Sequence, residues 1–310
     1  MVRKRFLLLI LLILCFIAAG CKFFAASAFP SYLTQISAFV DLGDEMGGFI
    51  GGAGEDFECR LDVMKNSSGR EYIFLVIHVF SPDKKKVIIL DNSLKVRKEL
   101  EDPRLGELHM VDANGDFLIG NVLFSQVDLT LLLSPGVDPY RQGFSDGANN
   151  FIMWMDGGLP YQQYSNVWGP GSTQYPVVGA GIFNLENIGY SLDRHEVTLF
   201  LNRVGDDYSQ VILIPAADFW PPAITTPIIG NYPFFPVDRA DRENYHYTND
   251  GIVVNNHDGV AKLYGFDGAV KAEFPICYDS DWVEAYDTEG SHYYHLDVRA
   301  RRLYRCGTWW

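Results

Sequence analysis

Short apolar runs, rather than long amphipathic stretches, organise this chain. From residue 72 to residue 306, runs of about 5 to 9 apolar residues alternate with clusters of Gly, Asn, Asp and Pro, which is typical of strands joined by turns. No segment of about 12 or more residues places apolar positions at helical spacing between two caps. The pattern therefore predicts an all-β protein. Residues 33–41 fit a short helix and a strand equally well.

Three stretches indicate that the strands form antiparallel meanders. In residues 251–276, three strand-like runs are separated by Asp258-Gly259 and Asp267-Gly268, and Asp-Gly pairs supply the positive φ angles of tight hairpins. Residues 72–100 repeat this form, and residues 197–215 give a looser copy. Connections this short predict sheets built from strands that are neighbours in the sequence.

The meander recurs along the chain. Matching strands start near residues 72, 117, 151, 197, 251 and 291, at spacings of 45, 34, 46, 54 and 40 residues. A unit of about 40–45 residues is typical of a β-propeller blade, and in period and turn chemistry the chain resembles bacterial propeller proteins, without a WD or kelch motif. The resemblance implies about six four-stranded antiparallel blades. A seven-bladed ring, a β-sandwich and a pair of small β domains stay open as alternatives.

Two further features favour a ring. The run Tyr72–Phe80 is apolar at both alternating sets of positions, so we expect its strand to be buried on both sides between neighbouring sheets. The last unit contains only two or three strands, and residues 33–48 are able to supply its missing outer strand. That pairing would close the ring and remove exposed strand edges.

The N-terminus has the pattern of an export signal. Basic residues at positions 3–5 precede an apolar run over residues 6–17 and small residues at positions 18–20, the three parts of a secretory signal peptide. The stretch from residue 6 to residue 20 falls short of the roughly 20 apolar residues that cross a bilayer. An uncleaved membrane helix and plain secretion are the alternatives to the interpretation that follows.

The segment Ala18-Ala19-Gly20-Cys21 resembles the lipobox of bacterial lipoproteins, with Ala18 at the position where leucine is usual. The resemblance implies that residues 1–20 are removed and that Cys21 carries the lipid. Residues 21–31 would form a tether, and residues 32–310 a single propeller domain. Several acyl chains, at about 0.8 kcal/mol per buried methylene, anchor a soluble domain stably. We therefore expect the protein in the bacterial cell envelope, and Lys22 favours the outer membrane.

Charge and cysteine usage narrow the possible partners. The chain has a formal charge of −14, and removal of residues 1–20 leaves 22 basic against 39 acidic residues. Such a surface repels phosphate backbones, which makes nucleic acid an unlikely partner class. Cys59, Cys277 and Cys306 lie beyond the anchor. They leave three possible pairings for one disulfide in an exported domain.

The chain carries no recognised catalytic motif. A phosphate-binding glycine loop, an HExxH pair and a Cys-His arrangement are all missing from the sequence. The run Asp112–Asp116 fails the spacing of a calcium loop and fits a hairpin turn. His292 and His295 would point to opposite faces of a strand. We therefore predict no catalytic residue, no metal and no cofactor.

Aromatic residues among Gly, Pro, Gln and Ser in residues 151–175 are the best binding candidates. Such side chains give a large contact area with few rotatable bonds, and packing between blades is the alternative role for them. The candidates are Trp154, Tyr161, Tyr164, Trp168 and Tyr175.

Together these observations predict an envelope-anchored, non-enzymatic binding or scaffold module for a protein or polymer partner. The alternative is a membrane-tethered hydrolase or lyase acting on an envelope glycan. Its acid and base would come from loops such as the charged segment 236–250.

Overall fold

The structure is a computed structural model that describes residues 36–50, 56–106, 109–112, 114–120, 122–133, 141–145, 151–155, 161–164, 173–176, 184–202, 207–216, 232, 234–238, 245–255, 260–275, 282–289 and 291–307. Within these residues the chain begins with strand β1 (Ile36–Asp41) and helix α1 (Gly43–Gly47). Residues 33–41, which fitted both a helix and a strand, thus contain a strand. In the described part of the chain, no helix has the length and apolar character needed to cross a bilayer.

The described strands form five four-stranded antiparallel sheets, named blades 1 to 5 below, and two separate hairpins. Blade 1 contains β2 (Phe57–Lys65), β3 (Glu71–Phe80), β4 (Asp83–Asp91) and β5 (Val96–Glu101). Blade 2 contains β6 (His109–Val111), β7 (Phe117–Ile119), β8 (Val122–Phe124) and β9 (Leu131–Leu133). The hairpins pair β10 (Arg141–Ser145) with β11 (Phe151–Met155), and β12 (Tyr161–Tyr164) with β13 (Thr173–Pro176).

The other three blades follow in sequence. Blade 3 contains β14 (Asn184–Ser191), β15 (Glu196–Asn202), β16 (Tyr208–Pro215) and β17 (Phe234–Asp238). Blade 4 contains β18 (Tyr245–Thr248), β19 (Gly251–Asn255), β20 (Val260–Tyr264) and β21 (Val270–Pro275). Blade 5 contains β22 (Trp282–Tyr286), β23 (His292–Asp297), β24 (Arg302–Gly307) and, as its outer strand, β1.

The first strands of the blades form a closed circle. Strand β2 contacts β6, β6 contacts β14, β14 contacts β18, β18 contacts β22, and β22 returns to β2. Sheets arranged radially around such a circle form a β-propeller. The fold class predicted from the sequence is therefore confirmed.

The predicted number of blades was wrong, because the described residues form five four-stranded blades and not about six. Six recurring runs in the sequence were used for the count. Five of them form the second strands of blades, namely β3, β7, β15, β19 and β23. The sixth begins at Phe151 in β11, whose partner in the described structure is β10 alone. Blades 2 and 3 meet directly through β6 and β14. An inserted hairpin has the same apolar runs and turns as half a blade, so periodicity alone counts it as one.

The ring is closed by the N-terminal strand, as predicted. Strand β1 pairs antiparallel with β24, from Ile36 opposite Cys306 to Asp41 opposite Arg302. Immediately after β1, the N–H of Leu42 donates to the carbonyl of Arg301 at 2.7 Å. Blade 5 therefore combines both ends of the domain and covers the edge of β24.

Separate apolar clusters hold neighbouring blades together. The predicted double burial of Tyr72–Phe80 is confirmed for residues 72–77 of β3, since Leu75 packs in the cluster shared with blade 5 and Phe74 in the cluster shared with blade 2. At the end of the strand Phe80 is exposed. Tyr286 belongs to a cluster between blades 4 and 5. Phe200 belongs to one between blades 3 and 4. Each blade is therefore stabilised through its neighbours.

The two buried cysteines of the described residues lie in different clusters. Cys59 packs between blades 1 and 5, whereas Cys306 packs between blades 4 and 5. They are not joined to each other. Cys277, the third candidate for a disulfide, lies outside the described residues.

Several turns share one local device, an Asx side chain that binds the backbone of its own turn. Asp112 Oδ1 accepts from the N–H groups of Asn114 and Asp116, and Gly115 takes the left-handed φ of +91°. Asn66 and Asp91 form equivalent turns. Asn and Asp favour such turns because their short side chains imitate a backbone acceptor. The prediction that residues 112–116 form a turn is thus confirmed.

Closure by the N-terminal segment predicts a large effect of Leu42→Ala. Leu42 is 0% exposed in the cluster between blades 1 and 5, so its truncation should lower the free energy of unfolding by about 2–5 kcal/mol. Urea unfolding followed by tryptophan fluorescence measures this loss. Ile36→Ala, at a position 47% exposed in the same segment, should cost no more than about 0.5 kcal/mol. Equal losses for both variants would contradict the closure role of Leu42.

Buried His295 predicts a stability that depends on pH. Burial lowers the pKa of His295 to about 4, partly opposed by Asp297. The unfolded chain, with a histidine pKa near about 6.5, then binds more protons than the folded chain between about pH 4 and 6.5. The contribution of neutral His295 is therefore present above about pH 6.5 and is lost as the pH falls toward 4.

The measurement is the difference in free energy of unfolding between the wild-type protein and the His295→Gln variant, taken from about pH 4 to pH 7. The difference should grow by about 3 kcal/mol from about pH 4 to pH 7, the value of a shift of this size. Comparison of two variants cancels the titration of other groups, including Asp112, whose pKa burial raises to about 6. A difference that stays constant with pH would show that His295 does not titrate in this way.

Candidate functional site

The first strands surround a cavity of about 590 Å³ at the centre of the ring. Residues from β2, β6, β14 and β18 line its wall. Cavities of roughly 300–1,000 Å³ are of the size that holds small ligands. This cavity is therefore the candidate functional site.

The mouth of the cavity is formed by the turns that follow the first strands. The lining includes residues 66–69, residues 191–193, His195, Asn249 and Thr288. Each lies where a first strand turns into the second strand of its blade. Because consecutive hairpin turns alternate between the two ends of a sheet, these turns share one face of the propeller. The cavity therefore opens on a face built from four blades.

Hydrogen bonds between neighbouring blades connect the turns at this mouth. The side chain of Asn66 donates to the carbonyl of Gln126 at 3.1 Å, which ties blade 1 to blade 2. The backbone N–H of Thr288 in blade 5 donates to Glu71 of blade 1 at 3.0 Å. The rim of the cavity is thus held in place before any partner arrives.

A buried carboxylate and two imidazoles lie deeper in the cavity. Asp62 of β2 faces His109 of β6, with 2.5 Å between Oδ2 and Nδ1. His246 of β18 reaches the other oxygen of the same carboxylate, with 3.2 Å between Nδ1 and Oδ1. Arg60 Nε lies 3.3 Å from Oδ2 of Asp62. Three blades therefore supply one polar cluster, called the Asp62 cluster below.

The Asp62 cluster keeps a negative charge inside the ring. Burial alone would raise the pKa of Asp62, but His109, His246 and Arg60 outweigh it and hold that pKa well below its usual range. Burial lowers the pKa of His109, and Asp62 opposes that shift only in part. A carboxylate this deep is tolerated because Arg60 donates to Oδ2 and His246 lies beside Oδ1.

Aromatic rings complete the wall of the cavity. Phe200 and Tyr245 stack with ring centroids 4.1 Å apart, and the hydroxyl groups of Tyr245 and Ser209 lie 2.7 Å apart. The Tyr247 ring fills the space beside Gly189, where a Cβ would come within 2.2 Å of that ring. Glycine is thus required for the ring to lie against β14. The lining of the cavity therefore combines aromatic rings with polar groups.

The aromatic candidates from the sequence are only partly placed. Trp154 lies in β11, Tyr161 and Tyr164 lie in β12, and Tyr175 lies in β13, but their side chains are outside what the structure describes. Trp168 and the lipidation candidate Cys21 also lie outside the described residues. These assignments therefore stay predictions.

Sequence reasoning missed the Asp62 cluster. Asp62, His109 and His246 lie three or four residues before the turn that ends a first strand. No motif connects residues so far apart along the chain. The segment 236–250 was singled out for its charges, yet the part of it that lines the cavity is residues 245–249, with His246 in the cluster. The sequence did contain one signal for these positions, a similar turn that recurs after first strands. Its two copies are Asn66-Ser67-Ser68-Gly69 and Asp112-Ala113-Asn114-Gly115.

The histidines of β23 behave as the alternation of a strand predicts. His292 lies at the turn, with Nδ1 3.1 Å from Asp287 Oδ2, whereas His295 is buried beside Glu284, at 3.9 Å. In the part of the chain that the structure describes, no group of three or more His, Cys, Asp or Glu side chains is arranged to hold a metal ion.

Comparison with known proteins gives structural neighbours alone. No family model and no curated protein matches the chain. The β-propeller domain of Myceliophteria thermophila Cps50 (Swd1) is 10% identical, with a TM-score of 0.49 over 89% of this chain and 99% of that one. Kuenenia stuttgartiensis hydrazine synthase is 10% identical, with a TM-score of 0.43 over 83% of this chain and 98% of that one. A chain of a mitotic checkpoint complex is 9% identical, with a TM-score of 0.49 over 91% of this chain and 96% of that one.

Proposed function

We propose that this protein is a non-enzymatic binding module, held at a membrane of the bacterial cell envelope by lipid on Cys21. Its partner is an envelope protein or polymer, one group of which enters the central cavity. The observation that carries the proposal is the cavity of about 590 Å³ that opens between the turns of four blades.

The mouth has the properties of a recognition surface. Its turns are held by hydrogen bonds between blades, so little conformational entropy is lost when a partner binds. Asp193 and His195 stand exposed at the opening, where they meet a partner before it reaches the buried cluster. A rigid rim around a deep cavity favours selective binding.

The proposed anchor is compatible with this geometry. Strand β1 is the outer strand of blade 5. The tether therefore joins the propeller at its outer edge, away from the mouth of the cavity. Residues 21–35, fully extended at about 3.5 Å per residue, span at most roughly 50 Å. A tether attached there leaves the open face accessible while the lipid stays in the membrane.

Binding is favoured over turnover by the state of the Asp62 carboxylate. A hydrolase or lyase needs a proton donor and a base directed at its substrate. Both oxygens of Asp62 are already engaged by the chain, since Arg60 Nε donates to Oδ2 and His246 Nδ1 lies 3.2 Å from Oδ1. Such an arrangement suits a fixed charge within a binding site.

The first prediction from this proposal concerns the mouth. Asp193→Trp places a large ring at the opening and should reduce several-fold the partner recovered by in-cell crosslinking and mass spectrometry. The control is Asp207→Trp, an exposed aspartate in the turn between β15 and β16 of the same blade. That turn lies on the opposite face, so this variant should recover the partner normally. Equal recovery with both variants would argue against the mouth as the binding surface.

The second prediction concerns the anchor. Cys21→Ala removes the only thiol of the lipobox segment, so the protein should move from the detergent phase to the aqueous phase and lose metabolic labelling with palmitate. Cys59→Ala, at a buried position, should keep both the label and the partition. If the wild-type protein takes up no palmitate label, lipidation at Cys21 is contradicted.

A further inference from the structure

The cavity contains a buried hydrogen-bond acceptor that its own chain leaves unused. His246 is 3% exposed and directs Nδ1 to Asp62, at 3.2 Å. A carboxylate accepts only from an N–H, so in the neutral ring Nδ1 carries the proton and Nε2 carries a lone pair. Among the described residues, Nε2 is buried and has no hydrogen-bond partner. An unmet buried acceptor costs about 1–3 kcal/mol, which a donor on an occupant of the cavity would recover.

We propose that the deep part of the cavity binds a neutral, hydroxyl-bearing group of the size of a sugar ring, with a hydroxyl donating to Nε2 of His246. The inference rests on the proposed function and identifies the chemistry of the group that enters. The partner polymer would thus be a glycan, or the partner protein would carry one.

The charges of the Asp62 cluster select a neutral occupant. An anion would bring a second negative charge beside the Asp62 carboxylate and present further acceptors to Nε2 of His246. An ammonium group would lose its hydration without gaining a full counter-charge, because Arg60 already lies 3.3 Å from the carboxylate. A hydroxyl group donates its hydrogen without either penalty.

The wall of the cavity fits the two kinds of surface on a sugar. Phe200 and Tyr245 form a stacked pair beside the cavity, and Tyr247 lies next to them. Apolar C–H faces of a sugar ring pack on aromatic side chains, while its hydroxyl groups reach polar ones. The volume of about 590 Å³ lies within the usual range for small-ligand sites.

The test compares sugars that share a ring and differ in charge. Saturation-transfer NMR and calorimetry on the full-length protein, kept in a detergent without a sugar head group, would measure binding of glucose, galactose, mannose and N-acetylglucosamine. Glucuronate and glucosamine serve as the anionic and cationic probes. At least one neutral sugar should bind, and its charged analogue should bind at least about tenfold more weakly. No binding of any neutral sugar up to about 10 mM, or tighter binding of a charged analogue, would overturn the proposal.

Three variants test the role of His246. His246→Phe keeps a ring but removes the acceptor, and should weaken sugar binding at least about tenfold. His246→Gln retains a side-chain oxygen near the position of Nε2 and should restore part of the affinity. His78→Phe makes the same change outside the cavity lining, where His78 pairs with Asp83, and should leave binding unchanged. Unchanged binding in a folded His246→Phe protein, verified by circular dichroism and melting temperature, would overturn the assignment.

The outcomes separate this inference from the proposed function. In one outcome, Asp193→Trp lowers partner recovery, His246→Phe does not, and no sugar binds. That result would overturn the sugar site but leave the proposed binding module intact. Sugar binding that depends on His246, with partner recovery indifferent to Asp193→Trp, would support the site and contradict the role of the mouth.

Discussion

Each blade of this propeller has two apolar faces, and its own four strands can cover neither of them. Strand β3 shows the constraint directly, because Ile73, Leu75 and Ile77 belong to the cluster with blade 5 while Phe74 and Val76 belong to the cluster with blade 2. Burial of apolar surface is the main favourable term in folding. A single blade would leave both faces in water. Only a closed ring covers both faces of every blade, so the order of the blades and the pairing of β1 with β24 follow from this requirement.

The ring in turn creates the cavity. The first strands run side by side around one axis. Residues at the same height along that axis therefore come close together, although these residues lie far apart in the chain. Asp62, His109 and His246 meet in this way from blades 1, 2 and 4. A carboxylate removed from water is tolerated only where donors reach it, and here Arg60 of the same strand and His246 of blade 4 provide them. The same geometry leaves Nε2 of His246, a residue of the cavity lining, without a hydrogen-bond partner among the described residues.

The turns that follow the first strands end those strands and form the rim of the cavity. Asn66 and Asp112 each bind the backbone of their own turn, which ends a first strand at a defined residue. Contacts between these turns, such as Asn66 with the Gln126 carbonyl, then fix the rim. Local hydrogen bonding thereby sets the depth of the cluster below the mouth, since Asp62 and His109 lie a few residues before the turns that follow them.

The sequence by itself determined the features that depend on neighbouring residues. Apolar runs, Asp-Gly turns and the doubly apolar stretch Tyr72–Phe80 were sufficient to predict an all-β ring of meanders closed by the N-terminal segment. The blade count failed over residues 141–176, because a hairpin inserted between blades has the same local pattern as part of a blade. Only the tertiary structure brought Asp62, His109 and His246 together. Their proximity depends on which blades adjoin across the axis, and that follows from the packing of whole sheets rather than from any local signal in the chain.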